Sequence, residues 1–125
     1  MPALGDAFHF RVAADHLWVV IAPPCIEGKF LMVNATSLDE EVEDTSCLLD
    51  AGDHDCIVHR SVIYYVDARE WWCDGNKGYN SLLSSNEVIP RDPLQRAILR
   101  RIQDGALASP FFKRKFAPWV QANLV

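Results

Sequence analysis

The stretch His16 to Ser37, HLWVVIAPPCIEGKFLMVNATS, decides the fold. Its first part, His16 to Ala22, is a short β-branched and aromatic run stopped by Pro23-Pro24, and it reads as a buried strand. Glu27-Gly28 supplies a turn. Lys29 to Ala35, KFLMVNA, then reads as the hairpin partner of the first run.

Working outward, Ala7 to Val12 adds an edge strand. The acidic run Asp39 to Asp44, DEEVED, is a solvated loop, and Ser46 to Leu49 is a short strand. Gly52-Asp53 turns the chain, and Ser61 to Val66, SVIYYV, is a strand of good local propensity. The character changes after Asp67: Asp74 to Asn80, DGNKGYN, reads as loop. Asp92 then caps a helix with Pro93 at its first position. Leu94, Ala97, Ile98 and Ile102 share one face of this helix, and Gly105 closes it. Ser109-Pro110 starts a second short helix that turns Phe112 and Phe116 inward and ends at Pro118. Strands first and helices last predict an α+β, mainly β domain, a small SH3-like antiparallel barrel with two C-terminal helices. Residues 1–125 form a single domain, with the barrel strands in 1–70 and the helical extension in 91–121.

Composition narrows the function classes. A chain of 125 residues that is 50% hydrophobic buries a core without staples. No apolar run approaches membrane-spanning length, and the N-terminus lacks the zones of a secretory signal, so a cytoplasmic protein with no membrane partner is expected. Cys25, Cys47, Cys56 and Cys73 form no CxxC pair and read as free, mostly buried thiols. Residues 1–90 carry five Lys/Arg against fifteen Asp/Glu, whereas residues 91–125 carry seven against two. That asymmetry excludes a wholly basic nucleic-acid binder and leaves a basic C-terminal face for phosphates or an acidic partner.

Residues 52–61, GDHDCIVHRS, concentrate polar chemistry. His54, Cys56 and His59 lack the second ligand pair that a structural zinc site needs, and on one strand Cys56 and His59 face opposite sides. No metal and no cofactor are expected. Metal-free cleavage of RNA through its own 2′-hydroxyl needs a base, an acid for the departing oxygen, and donors for the charged phosphorane. His16 heads the first core strand, Thr36-Ser37 ends the next, and His54, His59, Arg60 and Ser61 surround the loop before the last strand. His16 and His59 are the candidate proton carriers, and Thr36, Ser61 and Arg60 the candidate phosphate donors.

The order HLWVVIAPP, GKFLMVNATS, CLLDAGDH and IVHRSVIYYVDAR, together with Gly5-Asp6, resembles the layout of the MazF/PemK-like (CcdB-like barrel) toxin family over residues 5–70. The resemblance implies an SH3-like barrel, often a homodimer, that cleaves single-stranded RNA without metal and is inhibited by an antitoxin protein. It also implies phosphate contacts for Thr36, at the strand end, and for Ser61, at the entry to the later strand. Where the family commonly places Arg-Pro, this chain has Asp15-His16, which makes His16 a proton carrier in place of a fixed positive charge. The alternative is a non-catalytic module that kept the barrel to hold a protein partner.

Overall fold

The computed structural model describes residues 2–11 and 16–125. Val12 and Asp15, named in the sequence reading, lie outside the described residues. Seven strands are described: β1 (Ala7–Phe10), β2 (Leu17–Ala22), β3 (Lys29–Ser37), β4 (Leu48–Leu49), β5 (Ser61–Ile63), β6 (Arg69–Trp72) and β7 (Val88–Arg91). Three α-helices accompany them: α1 (Tyr79–Ser84), α2 (Arg96–Ala108) and α3 (Ala117–Gln121). The strands form one antiparallel sheet in the order β4-β5-β3-β2-β1-β7, with β6 paired to the first half of β3.

The sheet is open, with β4 and β7 at its two ends. The protein is therefore α+β with an antiparallel sheet, as expected, and the open sheet does not confirm the expected SH3-like barrel. Its strands are covered on both faces, which is why β2 and β3 read as near-continuous apolar runs. Leu17, Val19, Ile21, Leu31, Val33 and Ile63 pack on one face with Leu99, Ile102 and Ala106 of α2, Val120 of α3, and Phe112 and Phe116 between them. Phe8, Phe10, Trp18, Val20, Phe30 and Met32 fill the other face with Tyr79 and Leu82 of α1 and Val88 of β7. A bulge between Val20 and Ala22 shifts the register, so Ile21 and Ala22 both join the first cluster.

Several boundaries differ from the sequence reading. The expected edge strand at Ala7 is interior, because β7 pairs along it from Ala7–Arg91 to Phe10–Val88. The helix expected from Asp92 begins at Arg96 instead, since Leu94 N–H donates to Gly5 O at 2.9 Å and keeps that segment extended. Gly105 does not end α2. A Cβ there would meet Tyr65 Oη at 2.3 Å and Cys47 Cβ at 2.8 Å, so the helix runs on to Ala108 with glycine as the residue that fits. Ser109 caps the end of α2 rather than starting a helix, and its Oγ donates to Asp44 Oδ2 at 2.6 Å. Pro118 opens α3 instead of closing its predecessor. Phe112 and Phe116 point inward as expected.

Buried polar groups stitch the two helices to the sheet. Tyr65 Oη donates to Ile102 O at 2.6 Å. Gln103 is fully buried; its Nε2 donates to Ile21 O and Asn123 O, and its Oε1 accepts from Val125 N–H. Each such bond spares α2 the cost of an unpaired buried group, about 1–3 kcal/mol. All four cysteines are free thiols; Cys47 and Cys73 are buried, while Cys25 and Cys56 are half-buried. No helix among the described residues is long and apolar enough to cross a membrane.

Candidate active site

Strand register assembles the site. Leu17 pairs with Ala35, so the continuation of that ladder sets His16 opposite Thr36. Ser37 pairs with Ser61, and His9 of β1 pairs with Leu17. Four neighbouring strands thus bring their polar ends to one border of the sheet. A cleft of about 250 Å³ opens there, lined by His9, His16, Thr36, Ser37, Cys56, His59 and Ser61 together with Leu17, Ala35 and Val58.

Four of the six residues singled out in the sequence therefore share the cleft: His16, Thr36, His59 and Ser61. His59 is exposed, and its Nε2 hydrogen-bonds Ser37 Oγ at 2.5 Å. Ser61 Oγ donates to the His59 carbonyl at 3.0 Å, which fastens the entry of β5 beneath the imidazole. Residues 56–60 precede the strand, so Cys56 and His59 reach the same cleft despite their sequence parity.

The other two residues stand elsewhere. His54 is buried; its Nδ1 accepts the Cys56 N–H at 3.0 Å, and its Nε2 lies 2.5 Å from Asp92 O. The first bond makes Nδ1 an acceptor and the second requires Nε2 to donate, so both nitrogens serve the structure. Arg60 turns away from the cleft, and its Nε lies 3.6 Å from Asp50 Oδ1.

His9 and Arg91 escaped the sequence reading of the site, and Ser37 entered it only beside Thr36 at the strand end, without a role. Arg91 Nε donates to His9 Nδ1 at 2.9 Å, so this imidazole presents an acceptor nitrogen to the guanidinium. Arg91 does not line the cleft itself; its permanent positive charge is held against a lining residue, His9. The β1–β7 pairing that joins His9 to Arg91 spans most of the chain, and no local pattern signals it.

A larger cavity of about 640 Å³ lies beside Trp71, Trp72 and the loop 74–78. Its walls carry the carboxylates of Glu70 and Asp74 and the amine of Lys77, but no histidine, serine or threonine. Chemistry, rather than size, marks the histidine cleft as the candidate site. Among the described residues, no group of three or more His, Cys, Asp or Glu side chains is arranged to hold a metal ion.

The cleft gathers the imidazoles of His9, His16 and His59 with the hydroxyls of Thr36, Ser37 and Ser61, and the Arg91 guanidinium is bonded to His9. That set suits a reaction in which a hydroxyl is deprotonated and a neighbouring oxygen is protonated. The chain matches no protein-family model, no curated protein and no solved structure.

Proposed function

We propose that this protein is a metal-independent endoribonuclease of toxin type, acting on single-stranded RNA at the histidine cleft. The observation that carries the reading is the 2.5 Å contact between Ser37 Oγ and His59 Nε2 at the open edge of the cleft. A ribose 2′-hydroxyl taking the place of the Ser37 hydroxyl would lie within reach of Nε2 for deprotonation. His59 acts as base, and His16, across the cleft opposite Thr36, protonates the leaving 5′-oxygen. Thr36, in the cleft, and Arg91, bonded to His9 at its wall, offset the charge that develops on the phosphorane. Ser61 positions His59 through its carbonyl.

Kinship with the MazF/PemK-like toxins is part of this proposal. Its support is the Thr36-Ser37 strand end lying in register with Ser61 at the entry of the later strand, the two positions on which the resemblance rests. With the sheet open, kinship would reside in strand order and in an SH3-like curl of β2, β3 and β5. An antitoxin protein and a second copy of the chain are the partners this reading implies.

The test is cleavage of a single-stranded RNA panel in excess chelator. The expected products are a cyclic phosphate and a free 5′-hydroxyl. Substituting deoxyribose at the cleaved position abolishes the reaction, and His16→Ala and His59→Ala each stop it while keeping the native circular dichroism. An intact panel with folded protein, or cleavage that survives both substitutions, overturns the assignment and leaves the non-catalytic interaction module.

A further inference from the structure

A third concave surface has a different chemistry. Tyr64, Val66 and Phe111 form the apolar floor of a groove of about 280 Å³, with Glu41, Glu43 and Asp44 along its rim. The three apolar side chains are 40%, 47% and 40% exposed, an uncommon clustering for large hydrophobic residues on one small surface. The groove is built. Asp44 is buried, its Oδ1 accepts from Ser46 N–H and Oγ, and its Oδ2 accepts from Ser109 Oγ, which also accepts the Phe111 N–H at 3.1 Å. One carboxylate thus ties the acidic loop to the segment that carries Phe111.

Asp44 is fully occupied, whereas Glu41 and Glu43 are exposed and form no ion pair among the described residues. We propose that this groove docks a basic segment of a partner protein, with an aromatic or branched aliphatic side chain seated on Tyr64, Val66 and Phe111 and flanking lysines or arginines paired with Glu41 and Glu43. Charge complementarity selects that occupant. A nucleic-acid backbone would be repelled by the rim, because its binding rests on neutralising phosphates. A wholly apolar partner would strip water from the two carboxylates without replacing it. A segment with apolar anchor and cationic flanks satisfies both surfaces and gains association rate from the acidic field.

The full chain, immobilised, is used to select from a displayed random dodecamer library, and selected peptides are synthesised with a fluorescent label. Enrichment of Lys and Arg around a Phe, Trp, Leu or Ile is expected. So is a loss of affinity of about tenfold or more with Glu41→Lys/Glu43→Lys, with Phe111→Ser, and with raised salt. All three substituted residues are exposed, and an unchanged melting temperature confirms that the variants fold. The proposal is overturned if no basic motif is enriched, or if the selected peptides bind the variants as tightly as the native chain. It is equally overturned if sedimentation shows the chain self-associating through these same residues, which assigns the groove to a second copy. The readout is binding alone and does not depend on RNA cleavage.

Discussion

Ser37 Oγ hydrogen-bonds His59 Nε2 at 2.5 Å, across the pairing of β3 with the entry to β5. If the hydroxyl of Ser37 marks the place of a substrate hydroxyl, it is displaced during the reaction and is not itself consumed. Ser37→Ala then retains RNA cleavage within about tenfold of the native rate, whereas His59→Ala loses about 10²–10⁴-fold, the range for removal of a general base. Single-turnover rates on one RNA substrate separate the two. Complete loss with Ser37→Ala, together with a covalent adduct by mass spectrometry, would make Ser37 a nucleophile instead.

His54 and His59 are five residues apart but belong to different parts of the molecule's economy of polar groups. Because both nitrogens of His54 are bonded, to Cys56 N–H and Asp92 O, its truncation leaves partners unpaired in a buried site. His54→Ala therefore lowers unfolding free energy by about 1–3 kcal/mol. RNA cleavage by the folded fraction stays native. Urea unfolding beside an activity assay checks both halves, and a catalytic loss without a stability loss would return His54 to the site.

Arg91 brings its charge to the cleft through His9, whereas Arg60 is paired with Asp50 on the other side. Arg91→Ala raises KM for RNA by about tenfold, the loss of one charge-assisted bond to phosphate, while Arg60→Ala leaves KM unchanged. Reversed outcomes in steady-state kinetics would place Arg60 on the substrate path.

These contrasts show which parts were legible in the sequence. The runs from Leu17 and Lys29 are apolar and bounded by Pro or Gly, so β2 and β3 announce themselves. The run expected from Ser61 to Val66 is strand only to Ile63 and turns into a 3-10 helix at Tyr65–Asp67. β6 is Arg-Glu-Trp-Trp, four residues with charges at half its positions, and it is a strand because the first half of β3 needs a partner. β7 contains Pro90, tolerated because this strand ends the sheet. At six residues, α1 is too short to show a helical period. In the site, residues 54–61 look like one cluster, yet chain proximity says nothing about side: His59 enters the cleft, Arg60 leaves it, and His54 is buried. His9 and Arg91 meet only through long-range pairing.

Gly105 offers a test of packing against helix propensity. Alanine in mid-helix gains up to about 1 kcal/mol over glycine. Here its methyl group would lie 2.3 Å from Tyr65 Oη, whose hydroxyl is already committed to Ile102 O, and 2.8 Å from Cys47 Cβ. Overpacking of this kind costs about 1–3 kcal/mol, so Gly105→Ala is net destabilising. Chemical denaturation measures it. Stabilisation would mean that the Tyr65 ring yields without losing its hydrogen bond, which a structure of the variant would reveal.

Buried thiols and phenols on both faces of the sheet make the fold sensitive to alkali. Burial is the leading cause that pushes the Tyr65 phenol and the Cys47 thiol upward from their ordinary values of 10.0 and 9.0; the Cys73 thiol and the Tyr79 phenol are raised, again chiefly by burial. Each group is neutral when protonated, so the folded chain keeps its proton at a pH where the unfolded chain has released it. The stabilisation is fully present below the unfolded value of each group and declines as pH rises from there toward the folded value. Unfolding free energy therefore falls from about pH 9 upward, first through the thiols and then through the phenols. Tyr65→Phe loses about 1 kcal/mol at neutral pH with its bond to Ile102 O, but its stability then falls less steeply above pH 10. Urea titrations of native and variant protein across that range decide it. Parallel slopes would show that Tyr65 ionises as readily in the folded chain as in the unfolded one.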